Sequence, residues 1–133
     1  MLIRSLIGGL IGALGLAGLP VLAQSSPGPT PVEVSIMVED SRYEFRTEDG
    51  LALYVFDQDG PGQSVCNDQC AVAWPPLLSS GSSSAVGDWA TFKRDDGKFQ
   101  WSYKDKPVYT YIKDKPGTIL GEGVGGVWHK LLP

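Results

Sequence analysis

The chain has 133 residues, one histidine, two cysteines and a formal net charge of −4. That length suits one domain, and an acidic balance without a basic stripe excludes nucleic acid as an expected partner. A lone histidine beside two cysteines also narrows the available metal chemistry.

The N-terminus reads as an export signal. Arg4 supplies a positive start, Leu6 to Leu19 form an apolar stretch, and Val21-Leu22-Ala23 ends it in a form signal peptidase accepts. Cleavage between Ala23 and Gln24 is expected, removing residues 1–23. Gln24 is not cysteine and no basic stop-transfer flank follows, so neither a lipid-modified end nor a stable membrane anchor is expected. The rival reading keeps the segment as an anchor. Residues 24–31, QSSPGPTP, read as a flexible linker, and residues 32–133 as a periplasmic or extracellular β domain.

Val32, Val34, Ile36 and Val38 alternate with Glu33, Ser35, Met37 and Glu39, the period of a half-buried strand. Tyr43, Phe45 and Thr47 alternate with Arg42, Glu44 and Arg46. Glu48-Asp49-Gly50 turns the chain into Leu51 to Phe56, which is apolar on both faces and so expected to be central. Cys66 to Trp74 is the helical candidate, ended by Pro75-Pro76. Ser79 to Gly87 is a Ser/Gly loop. Trp89 to Arg94 and Phe99 to Tyr103 flank the turn Asp95-Asp96-Gly97-Lys98. Lys106-Pro107 opens the strand Val108 to Ile112, Gly121 to Gly126 form a loop, and Val127 to Leu132 close the domain.

Much of this is said twice. Tyr54-Val55-Phe56-Asp57-Gln58-Asp59-Gly60-Pro61-Gly62 recurs about 55 residues on as Tyr109-Thr110-Tyr111-Ile112-Lys113-Asp114-Lys115-Pro116-Gly117, and Trp74 recurs as Trp128 at a spacing shorter by one. Both Pro-Gly pairs suit four-residue turns, with Asp59 and Asp114 placed to cap them through backbone N–H groups. The expectation is an all-β sandwich or barrel-like domain of two strand-turn-Trp repeats, approximately 42–78 and 92–132, with one short helix near the cysteines.

Tyr54-x-Phe56-x-x-Asp59, Tyr109-x-Tyr111-x-x-Asp114 and Cys66-x-x-x-Cys70-Ala71 before Trp74-Pro75-Pro76 resemble the bacterial secreted-repeat family. Its members are described as predicted lipoproteins with a Yx(FWY)xxD motif. Arg94-x-Asp96-Gly97-x-x-Gln100 and Gly125-Gly126-Val127-Trp128 fit as well. The resemblance implies an exported protein of two such repeats in a family without a settled activity.

Tyr54 with Phe56 and Tyr109 with Tyr111 share a strand face, as inter-repeat core or as an aromatic platform for a flat ligand. Trp74 and Trp128 are expected to plug the repeat cores. Cys66 and Cys70 in an exported chain read as one disulfide, since four residues of helix separate Cα atoms by about 6 Å. Cys66 and Cys70 map onto Leu120 and Val124 in the second repeat, as if sulfur replaced apolar packing. A reversible redox pair, or a copper site completed by His129, are the alternatives. Asp57 with Asp59, and Asp95 with Asp96, carry no mark of an opposed catalytic pair. The glycine-rich 121–126 loop lacks a P-loop Lys, and no nucleophile constellation is found, so no catalytic residues and no cofactor are expected. The chain reads as a non-catalytic binding or scaffolding module of the cell envelope, with a cell-envelope protein or small ligand as partner. The alternative is a copper-handling or thiol-redox protein using Cys66, Cys70 and His129.

Overall fold

The computed structural model describes residues 26–133 except Ser82. The expected signal segment and cleavage point lie outside the described residues. No described helix is long and apolar enough to cross a membrane. The end of the expected linker joins the fold: Pro31 is buried, its carbonyl accepts the Val34 N–H at 3.0 Å, and Thr30 Oγ1 donates to the Val34 carbonyl.

Among the described residues the fold is β-rich, with two antiparallel sheets and one short α-helix. Strands β1 (Val34–Glu39) and β2 (Arg42–Thr47) form the smaller sheet. Strands β3 (Tyr54–Phe56), β4 (Trp89–Lys93), β5 (Phe99–Tyr103), β6 (Lys106–Tyr109) and β7 (Trp128–Lys130) form the larger one, in the order β4-β5-β6-β3-β7. Its edges β4 and β7 do not meet, so the sheet is open and no barrel closes. A bridge between Arg46 and Ala52 ties the small sheet to the approach to β3.

Strand β3 lies inside the sheet, between β6 and the edge strand β7, and carries a core on each face. Leu53, Val55 and Val108 face a cluster with Val34, Phe45, Leu77, Trp89, Trp101, Tyr103 and Leu131. Tyr54, Phe56, Tyr109 and Tyr111 face the other, with Ala52, Cys66, Trp74 and Trp128. Alternation of side chains across the pleat produces this division.

The repeats exchange their ends. Tyr54 pairs with Tyr109 across β3 and β6, placing the two motifs side by side and antiparallel. On its other edge β3 receives β7 from the second repeat, while β6 receives the Trp74–Leu78 segment of the first. Matching bonds recur: Asp57 N–H to the Val127 carbonyl at 2.9 Å and Ile112 N–H to the Ala73 carbonyl at 2.9 Å. Leu131 N–H to Leu53 and Leu77 N–H to Val108 repeat the relation at 2.8 and 2.9 Å.

Three expectations need correction. The Cys66–Trp74 helix shrinks to α1 (Gln69–Ala73), because Asp68 adopts a left-handed φ of 55° before it and Pro75-Pro76 follow. The strand β1 is half-buried only at its base. Val34 is buried, but Ile36, Met37 and Val38 are exposed because the tip of the hairpin projects beyond the core. The strand expected over Val108 to Ile112 occupies Lys106–Tyr109 instead, so Pro107 lies within it. Both Pro-Gly turns form, with Gly62 and Gly117 at φ 62° and 91° and bonds from Gln63 N–H to Gly60 and Thr118 N–H to Lys115.

Candidate functional site

The two motif tyrosines meet at the joint between the repeats, and each hydroxyl reaches the other repeat's aspartate. Tyr54 Oη donates to Asp114 Oδ2 at 2.5 Å, and Tyr109 Oη donates to Asp59 Oδ2 at 2.6 Å. The remaining carboxylate oxygens close the loops behind them. Asp59 Oδ1 accepts Val65 N–H at 2.8 Å, and Asp114 Oδ1 accepts Leu120 N–H at 2.7 Å. Each aspartate therefore caps its own loop, as its position ahead of the turn leads one to expect, while holding the opposite repeat. Burial, reinforced by the neighbouring carboxylate, pushes both tyrosine pKa values well above the usual phenol range. Burial also raises the Asp59 pKa, against the opposing effect of its bond to Tyr109.

Trp74 and Trp128 stack face to face with centroids 3.8 Å apart and planes within 3°. Phe56 stacks on Trp128 at 4.2 Å, and Tyr111 on Trp74 at 4.1 Å. The order Phe56, Trp128, Trp74, Tyr111 alternates between repeats. Tyr54 and Tyr109 meet Trp74 and Trp128 respectively in T-shaped contacts, at 5.5 and 5.1 Å. With both indoles 5 % exposed, the stack is an interior rather than an open platform.

Cys66 and Cys70 lie at disulfide distance, Sγ to Sγ 2.01 Å, with Cα atoms 5.1 Å apart. The second repeat has no apolar counterpart to Cys66 at Leu120, which is exposed. The neighbouring Gly121 takes the buried place instead, its N–H donating to Tyr54 Oη at 3.1 Å. A Cβ there would lie 2.8 Å from the Tyr54 ring and 2.9 Å from Trp74, so only glycine fits. Val124 does pack against the tryptophan cluster.

His129 is not brought to the cysteines. It pairs with Val55 on β3, on the sheet face opposite the sulfur-bearing core. Its Nε2 lies 2.8 Å from Asp57 and its Nδ1 3.3 Å from Glu122; the Asp57 bond, more than the others, raises its pKa. Among the described residues no group of three or more His, Cys, Asp or Glu side chains could hold a metal ion.

Asp57 and Asp59 part company, the first turning to His129 and the second to Tyr109. Asp95 and Asp96 separate likewise: Asp95 accepts from Asn67, while Asp96 accepts Lys98 N–H and faces Arg94.

The sequence reading assigned no individual role to Arg94, although the Arg-x-Asp-Gly-x-x-Gln stretch was its signal. The Arg94 side chain is 1 % exposed. Its Nη1 donates to Gln100 Oε1 at 2.7 Å and to Ser64 Oγ at 3.1 Å. Its Nη2 donates to the Cys66 carbonyl at 2.7 Å, anchoring the cysteine loop. Gln100 in turn donates to the Val108 carbonyl at 2.8 Å.

Open surface lies elsewhere. A groove of about 480 Å³ is lined by Val55, Phe56, Asp57, Asp59, Gly60 and Pro61 from the first repeat and by Lys104, Asp105, Lys106 and Pro107 from the second. A second groove, of about 300 Å³, shares Val55, Asp57, Lys104 and Lys106 with it and extends to His129 and Leu132.

A family model described as a secreted repeat of unknown function matches the chain twice, over residues 44–78 and 90–131. No curated protein and no solved structure matches it.

Proposed function

The chain belongs to this family of secreted repeats of unknown function, and from that premise we propose that it is a non-catalytic binding module of the cell envelope, periplasmic or extracellular. The observation that carries this reading is where the motif side chains go. Tyr54, Tyr109, Asp59, Asp114, Trp74 and Trp128 are engaged with one another in holding the repeats together. The same joint shapes the charged groove beside it, because Phe56 and Asp59 belong both to the motif and to its lining. A volume of about 480 Å³ falls within the range of small-ligand sites, and a lining that includes Asp57, Asp105, Lys104 and Lys106 favours a polar ligand carrying both charges. In this reading the disulfide braces the loop that Arg94 anchors, and no metal or cofactor takes part.

Isotope-labelled protein titrated with amino acids, cell-wall peptide fragments and sugars tests the proposal. Amide shifts confined to Val55–Pro61 and Lys104–Pro107 are the expected result. Shifts centred on the cysteine loop, or stoichiometric copper lost on Cys70→Ser, would replace this reading by the metal-handling one.

A further inference from the structure

We propose a second activity seated in the joint itself: the stacked indoles and the two carboxylate-bonded phenols form a relay that takes up an electron hole from an oxygen-derived one-electron oxidant and lodges it on Tyr109 or Tyr54. Its basis is a coincidence of two geometries. Trp128 and Trp74 overlap at 3.8 Å and 3°, extended by Phe56 and Tyr111 at 4.2 and 4.1 Å, so four parallel rings run from one half-buried end to the other. The second core of the same protein is built differently. There Phe45, Trp89 and Tyr103 meet at 50° to 74°, the ordinary edge-on and tilted packing of aromatic cores.

Two of the three phenols that touch the indole pair, Tyr54 and Tyr109 but not the stacked Tyr111, also hold a proton acceptor. Tyr109 lies 5.1 Å from Trp128 and donates to Asp59 at 2.6 Å; Tyr54 lies 5.5 Å from Trp74 and donates to Asp114 at 2.5 Å. A phenol yields an electron readily only when its proton leaves with it, and a carboxylate already in the hydrogen bond is the base for that step. Burial raises the Asp59 pKa, which favours its holding the transferred proton.

The steps balance. An oxidant such as the carbonate radical anion takes one electron from the indole pair through its half-buried end, becoming carbonate and leaving an indole radical cation. Tyr109 returns one electron to the indole and passes its hydroxyl proton to Asp59, leaving a neutral phenoxyl radical. A soluble thiolate or enediolate then supplies one electron, itself becoming a thiyl or enediol-derived radical, and the proton returns from Asp59 to restore the phenol. The Tyr54–Asp114 pair performs the same exchange from the other repeat. The chain thereby turns a diffusing radical into one held in a closed interior until a reductant removes it.

Pulse radiolysis of the intact protein with azide radicals, which oxidise indole in preference to phenol, tests the relay. Indolyl absorption should decay as phenoxyl absorption grows, at a rate independent of protein concentration and slower in deuterated water. A Tyr54→Phe/Tyr109→Phe double variant keeps the rings and should lose that growth. Asp59→Asn in a Tyr54→Phe background should slow it about a hundredfold, within the range set by a positioned base. Phenoxyl growth unchanged in the double variant, or a rate proportional to protein concentration, overturns the proposal. So does an equal rate in deuterated water, a control that needs no variant.

Discussion

At the residue scale, the Tyr109 hydroxyl has two partners, Asp59 at 2.6 Å and Ser64 at 2.6 Å, in a place with no exposure to solvent. Tyr109→Phe leaves the ring packed and strands a carboxylate oxygen, so a loss of about 1.5–3 kcal/mol is expected in chemical denaturation. The pH dependence has a definite sign. Because folding raises the Tyr54 and Tyr109 pKa values, their contribution is complete below about pH 10, where an unfolded tyrosine begins to ionise, and disappears as pH rises through the folded values. An ultraviolet titration of the five tyrosines should therefore show Tyr54 and Tyr109 ionising late and together with unfolding. Two tyrosines titrating normally in folded protein at these positions would contradict the buried bonds. The capping role of Asp59 and Asp114 was legible from the Pro-Gly turns behind them. Their bonds to the tyrosines were not, since the partners lie 50 and 60 residues away and no local pattern marks such a pairing.

At the scale of elements, turn chemistry located the β4–β5 hairpin, but the hairpin expected between Arg42–Thr47 and Leu51–Phe56 shrinks to the Arg46–Ala52 bridge, because β2 pairs with β1 in a separate sheet. The exposed tip of β1 was not legible, because a period of two states which residues share a face and not whether anything covers that face. The helix was read too long for a similar reason: a proline marks where a helix stops, while a left-handed Asp68 at its start leaves little trace in composition. The Trp74 and Trp128 segments are the elements on which most depends, since each strand edge it covers belongs to the other repeat. Trp74→Ala and Trp128→Ala should each cost about 3–5 kcal/mol in thermal or chemical unfolding. The double variant should lose less than their sum, because the rings touch each other at 3.8 Å. Unchanged melting of either variant would show that its ring is dispensable to the core.

At the scale of the whole molecule, the two repeats share one sheet, with their seam between β3 and β6. The repeat itself was visible in the spelling of the chain; the exchange of ends was not, because the same spelling would suit two separate units standing side by side. The connecting stretch offers a direct check. Ser83, Ser84 and Ala85 are exposed, so a protease should nick there first. The nicked protein should still elute as one species under native conditions and separate only in denaturant. Prompt separation of the fragments would mean that the seam is weak.

The antiparallel Tyr54–Tyr109 pair has a further consequence, because a local twofold axis passes through it. A chain carrying one unit must meet a second molecule before its indole is covered, and that encounter depends on concentration. Joining two units end to end makes the encounter internal and permanent. Each unit is then released from having to match itself, and the departures follow that freedom: sulfur and a buried guanidinium serve one side, bare backbone at Gly121 the other.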